Sequence, residues 1–117
     1  MRGTVLVIDD DAEIRNTIAD ILGGEGYGIA EAENGREALA QLRAGLRPSL
    51  ILLDLMMPIM DGWEFLEERA KDEVLKALSV VVVSATPEIV RVPETSGFVR
   101  KPMRLERLLE AVERGCS

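Results

Sequence analysis

A chain of 117 residues has room for one hydrophobic core, and 47% hydrophobic against 30% charged residues is the balance of a chain that folds unaided rather than staying disordered. A net charge of −7 disfavours direct contact with nucleic acid or an anionic membrane, both of which select for clustered Lys and Arg, so other proteins and a cation are the expected partners. Because the chain has no histidine, imidazole acid–base catalysis, Ser-His and Cys-His nucleophiles and His-ligated metals are all excluded, and carboxylates, hydroxyls and amines must carry any chemistry.

The first apolar run, Thr4 to Asp9, predicts a strand beginning almost at Met1, which leaves no room for a signal peptide. No apolar stretch reaches the roughly 18–20 residues that a bilayer crossing needs, so the expected compartment is the cytoplasm. Ile14, Ile18, Ile21 and Leu22 recur on one face of a helix. Tyr27 to Glu31 is a weaker apolar run, expected at a sheet edge. Ala38, Leu39 and Leu42 mark a helix after the Asn34-Gly35 turn. Ser49 to Asp54 follows, its Leu50–Leu53 quartet typical of a strand buried on both faces.

After Asp61-Gly62, the apolar positions Phe65, Leu66, Ala70, Val74, Leu75 and Leu78 predict one longer helical stretch. Ser79 to Ser84 is the fourth strand, with a second unbroken quartet at Val80–Val83. Thr86 to Ser96 carries Pro87 and Pro93, and the second proline would stop a helix after little more than a turn, so this connection is expected to be a loop or a single turn. Gly97 to Arg100 predicts the last strand, and Leu105, Leu108, Leu109 and Val112 the last helix. The lone Cys116 falls in a polar tail with no second thiol to pair with and is expected to be incidental. Strands alternating with helices predict a single α/β domain over residues 1–117, a doubly wound parallel sheet with helices on both faces.

In such a sheet, ligands bind beyond the carboxyl ends of the strands. The residues there are Asp9 and Asp10 after the first strand, Asp54 after the third, Ser84 after the fourth and Lys101 after the fifth. Gathered carboxylates repel one another unless a cation joins them, and oxygen-only ligation selects a hard ion such as Mg2+. Mg2+ needs only one or two protein carboxylates and leaves coordination positions for phosphoryl oxygens. An ionised aspartate beside it can attack phosphorus, and Asp54, ending a central strand between the other groups, is the expected nucleophile. Lys101 would supply fixed positive charge and Ser84 a hydrogen-bond donor. Taken singly, Asp11 or Asp10 reads as a helix N-cap, Lys101 as a surface lysine, Ser84 as a turn residue and Phe98 as a core aromatic. Their joint placement at separate strand ends favours the functional reading.

Four ordered motifs carry a resemblance over nearly the whole chain. Val-Leu-Val-Ile-Asp-Asp-Asp at 5–11 followed by Arg15, the stretch from Glu31 to Leu39, Asp54-Leu-Met-Met-Pro-Ile-Met-Asp-Gly to Gly62, and Lys101-Pro102 resemble the receiver (CheY-like) domains of two-component response regulators. The resemblance implies a flavodoxin-like five-stranded sheet of order 2-1-3-4-5. It also implies phosphorylation of Asp54, Mg2+ ligation by Asp10, Asp54 and the backbone carbonyl of Met56 with water-mediated support from Asp9, and a switch pair of Ser84 and Phe98. The Lys101-Pro102 peptide is expected to be cis, as is common in such domains. The phosphoryl donor would be a phosphohistidine on a sensor histidine kinase or a histidine phosphotransfer protein, and the output would pass to an unknown downstream protein. Such a domain is not an enzyme toward other substrates and promotes only its own phosphorylation and dephosphorylation. Met56, two residues after the nucleophile, cannot orient water by hydrogen bonding, which predicts a persistent phosphoryl group.

The span from Ser84 to Lys101 is shorter than is usual in the family, so the fourth helix is expected to be shortened or missing. The chain ends after the last helix, as a stand-alone receiver or a fragment of a longer protein would. One rival is an interaction module that keeps the fold but signals independently of phosphorylation. A phosphatase resembling the haloacid dehalogenase family would need an aspartate where Met56 stands, and three aspartates after the first strand would repel a flavin phosphate.

Overall fold

The computed structural model describes residues 3–55, 59–84, 97–100 and 104–116, with the side chain of Val99 alone described in the last strand. The elements in order are β1 (Thr4–Ile8), α1 (Ala12–Gly24), β2 (Gly28–Ala32), α2 (Gly35–Arg43), β3 (Leu50–Asp54), α3 (Gly62–Ala70), α4 (Glu73–Lys76), β4 (Val80–Ser84), β5 (Gly97–Arg100) and α5 (Leu105–Cys116). The strands pair in parallel in the order β2-β1-β3-β4-β5, as expected for a flavodoxin-like sheet. No helix among the described residues is long and apolar enough to cross a membrane.

Every residue of β3 and β4 is buried, whereas β2, at the edge, is mostly half-exposed. Because successive side chains on a strand point to opposite faces, the sheet divides its apolar residues between two cores. Leu6, Ile8, Ile51, Leu53, Val80 and Val82 face Ala38, Leu39, Leu42, Phe65, Leu66 and Leu75 from α2, α3 and α4. Val5, Val7, Leu50, Leu52, Val81 and Val83 face Ile18, Leu22, Leu108 and Val112 from α1 and α5. Helices on both faces leave the loops at the carboxyl edge as the place where polar groups can gather.

Polar side chains close the helix starts. Asp11 accepts from the N–H groups of Glu13 and Ile14, and Asn34 from that of Glu37. Asp61 and Glu64 form a reciprocal capping box at the start of α3. Asp11 is thus the N-cap that its position suggested.

Two expectations need correction. The helical stretch after Gly62 is two helices, because Asp72 leaves the helical conformation and caps α4 through the N–H groups of Val74 and Leu75 at 2.8 and 3.2 Å. Arg69, only 2% exposed, fastens this break from within, donating to the carbonyls of Lys76 at 2.9 Å and Leu78 at 2.7 Å. Cys116 lies not in a polar tail but in the last turn of α5, half-buried against the second core. The connection at 85–96, the expected site of a shortened or missing fourth helix, lies outside the described residues, as does the Lys101-Pro102 bond.

Candidate functional site

The register of the sheet fixes which residues meet at its carboxyl edge. Ile8 is level with Leu53, Leu53 with Val82, and Asp54 with Val83. Asp9 and Asp54 are therefore the next residues of neighbouring strands, and Ser84 stands one step further along β4, level with Arg100 of β5. One carboxylate oxygen from each of Asp9, Asp10 and Asp54 lies within 4.8 Å of the others. Asp9 is 3% and Asp54 6% exposed, while Asp10 faces solvent. Ser84 is fully buried. Met56 and Lys101 lie outside the described residues, as does the side chain of Phe98.

The turn after β1 is tied down along its length. The Asp9 N–H donates to the Ala32 carbonyl at 3.1 Å, and Asp9 Oδ1 accepts the N–H of Asp11 at 2.9 Å. The Asp9 carbonyl accepts from Arg15 Nη1 at 2.6 Å. Arg15 was visible in the sequence only as part of a motif. No pattern of spacing assigns a guanidinium to a main-chain carbonyl six residues earlier.

Gly62 explains how α3 can begin directly against the end of β3. Its N–H donates to the Leu55 carbonyl at 3.0 Å, and a Cβ on it would come within 2.7 Å of Leu55 Cα and 2.8 Å of the Asp54 carbonyl oxygen. Any larger residue would push the helix off the strand end that carries Asp54. Nearby, Ile59 adopts a left-handed φ of 68° and is 71% exposed, an uncommon backbone state for a β-branched residue. The Gly35 N–H donates to the Met60 carbonyl at 3.1 Å, joining the residues just before α3 to the start of α2.

Three carboxylates with no imidazole or thiolate among them fit a hard, oxygen-seeking divalent cation and fit soft metals poorly. Two of the three are withdrawn from water, where negative charge is weakly screened, and together the three could hold a cation. The third, exposed Asp10, leaves the cluster open on one side to an incoming group.

A model described as the response regulator receiver domain matches residues 5–113. The chain is 33% identical over 116 residues to the chemotaxis protein CheY of Thermotoga maritima, covering 94% of each. It is 32% identical over 114 residues to the DNA-binding response regulator MtrA of Mycolicibacterium paratuberculosis, covering 96% of this chain and 50% of that protein. The chain thus spans about half the length of the MtrA relatives it matches. Among solved structures, the chemotaxis response regulator CheY4 of Vibrio cholerae superposes with a TM-score of 0.87 at 29% identity, over 97% of this chain and 98% of that one.

Proposed function

The chain belongs to the response regulator receiver domain family of two-component systems, and on that premise we propose that Asp54 is its phosphoacceptor, charged from a phosphohistidine on a sensor histidine kinase or histidine phosphotransfer protein in the cytoplasm. The observation that carries this reading is the meeting of Asp54 with Asp9 and Asp10, their carboxylate oxygens within 4.8 Å of one another. An ionised Asp54 oxygen attacks phosphorus as the bond to the donor imidazole nitrogen breaks, leaving an acyl phosphate on Asp54, while the imidazole ring takes up one proton from water so that the partner is left with a neutral histidine.

Asp10, Asp54 and the Met56 carbonyl would hold Mg2+, with Asp9 acting through water. Bound there, Mg2+ would offset the negative charge of the carboxylates and of the phosphoryl oxygens. Lys101 is proposed to add fixed positive charge, and the Ser84 hydroxyl to donate to a phosphoryl oxygen. Ser84 starts the switch from a fully buried position at the end of β4. Its reorientation would open space for Phe98, and the altered surface would be read by an unknown downstream protein. Met56 offers no hydrogen bond to an attacking water, so the acyl phosphate is expected to persist, and Met56→Asn to shorten its lifetime.

The test is the intact mass after incubation with Mg2+ and acetyl phosphate, beside Asp54→Asn. A phosphoryl adduct on the parent chain, absent from the variant and without Mg2+, is the expected result. No adduct, together with no beryllofluoride binding, would overturn the proposal and favour an interaction module that ignores phosphorylation.

A further inference from the structure

Arg15 reaches in two directions. Its Nη1 donates to the Asp9 carbonyl at 2.6 Å, and its Nε to Glu31 Oε1 at 3.2 Å. Glu31, on the edge strand β2, is itself anchored, because its carbonyl accepts from Gln41 Nε2 of α2 at 2.8 Å. A continuous set of polar contacts therefore runs from α2 through β2 and α1 to the turn bearing Asp9 and Asp10.

The carbonyl that Arg15 holds shares one rigid peptide plane with the N–H of Asp10. Fixing that oxygen therefore fixes the direction in which the chain enters Asp10. Before a cation binds, the acidic groups repel one another and would spread the turn; the guanidinium resists this from the protein side. Two bonds from different nitrogens of a planar group set its orientation as well as its position. Its positive charge is met by Glu31, so at the acidic cluster the charges of the pair largely cancel and geometry remains as the main effect.

We propose that Arg15 and Glu31 are positioning residues for the cation, holding the peptide between Asp9 and Asp10 so that the carboxylates are presented together before the ion arrives. The proposal rests on the reading of Asp9, Asp10 and Asp54 as a hard-cation site. Neither residue touches the ion or the phosphoryl group.

The experiment is a titration of the full chain with Mn2+, an oxygen-seeking probe, following the free-ion signal by electron paramagnetic resonance. Arg15→Met should weaken binding roughly tenfold, the scale on which groups that orient metal ligands act. Glu31→Gln, a nearly isosteric change at an exposed position, should weaken it by a smaller factor, and the double variant should be no worse than Arg15→Met alone. Arg15→Lys, which keeps the charge but loses the planar fork, should fail to restore affinity. If charge alone mattered, Arg15→Met would strengthen Mn2+ binding while Glu31→Gln weakened it, and those opposite signs would overturn the proposal. Unchanged affinity in both single variants, with the parent binding normally, would overturn it and leave the cation site standing. A folded parent that binds no Mn2+ would remove the site and the proposal together.

Discussion

Two arginines in this chain do the same local thing with different consequences. Arg15 donates to a main-chain carbonyl in the turn that carries Asp9 and Asp10, and its outer side is met by Glu31. Arg69 donates to the carbonyls of Lys76 and Leu78 across the break between α3 and α4, where it is almost fully buried. A guanidinium makes a good clip for carbonyls that no helix or sheet supplies with donors. What differs is the cost of removing it. Arg69 is only 2% exposed, so its loss also empties the space that its stem fills in the core, whereas the Arg15 side chain keeps 16% of its surface in water. Arg69 is thus expected to govern stability, and Arg15 the shape of a site.

The largest expected effect follows from the buried side of that contrast. Arg69→Ala removes both bonds and the packing of the side-chain stem, and should cost about 3 kcal/mol in urea unfolding. Arg69→Met should recover the packing share only. If Arg69→Ala unfolded at the parent's urea midpoint, the two arginines would not differ in the way proposed.

Gly62→Ala tests the site side by a steric route. The new methyl would meet Leu55 Cα and the Asp54 carbonyl below 3 Å, so α3 must shift at a cost of roughly 1–2 kcal/mol. Acetyl phosphate labelling of Asp54 should slow even where the variant is fully folded. Labelling at the parent rate would show that the start of α3 does not hold the strand end in place.

The smallest effect is expected at Glu68, the neighbour of Arg69. Lys71 Nζ lies 2.6 Å from Glu68 Oε2 on the solvent side of the same break. The hydrogen bond from Lys71 holds the Glu68 carboxyl below its usual range, and the same bond raises the Lys71 ammonium above its own. A lowered carboxylate pKa gives stability that is present at neutral pH and lost as pH falls through the folded value; the raised lysine loses its share only at strongly alkaline pH. With Lys71 exposed and Glu68 half-buried, solvent still screens much of the pairing, so Glu68→Gln should leave the unfolding midpoint at pH 7 nearly unchanged and remove a slight acid dependence. A large loss at neutral pH would mean that this pairing, not the buried Arg69, secures the break.

Much of the fold was legible because it rests on local chemistry. Unbroken apolar quartets at Leu50–Leu53 and Val80–Val83 mark strands covered on both faces, and the weak run ending in Glu31 marks an edge. Asp9, Asp10, Asp54 and Ser84 could be set at strand ends by counting along each run. The break after Ala70 was written in the apolar phase: at about 100° per residue, Val74, Leu75 and Leu78 lie roughly opposite Phe65 and Leu66, so one straight helix could not turn both sets to the same core. Polar signals agree: Asp72, able to cap, and Arg69, on the same face as Gly62, Phe65 and Leu66 at helical spacing. A charged residue in that row points to a buried clip once the row is known to face the core.

Residue order and residue type were therefore enough to settle an α/β chain with acidic strand ends and capped helices, because strand burial, turn formation and capping act over a few residues. Only the folded sheet could settle that Asp9 and Asp54 come level, that a Cβ at residue 62 would strike the end of β3, and that Arg15 would join Glu31 to the carbonyl of Asp9. Those are contacts between different elements, set by strand register and by the packing of helices on the sheet, and no local propensity encodes them.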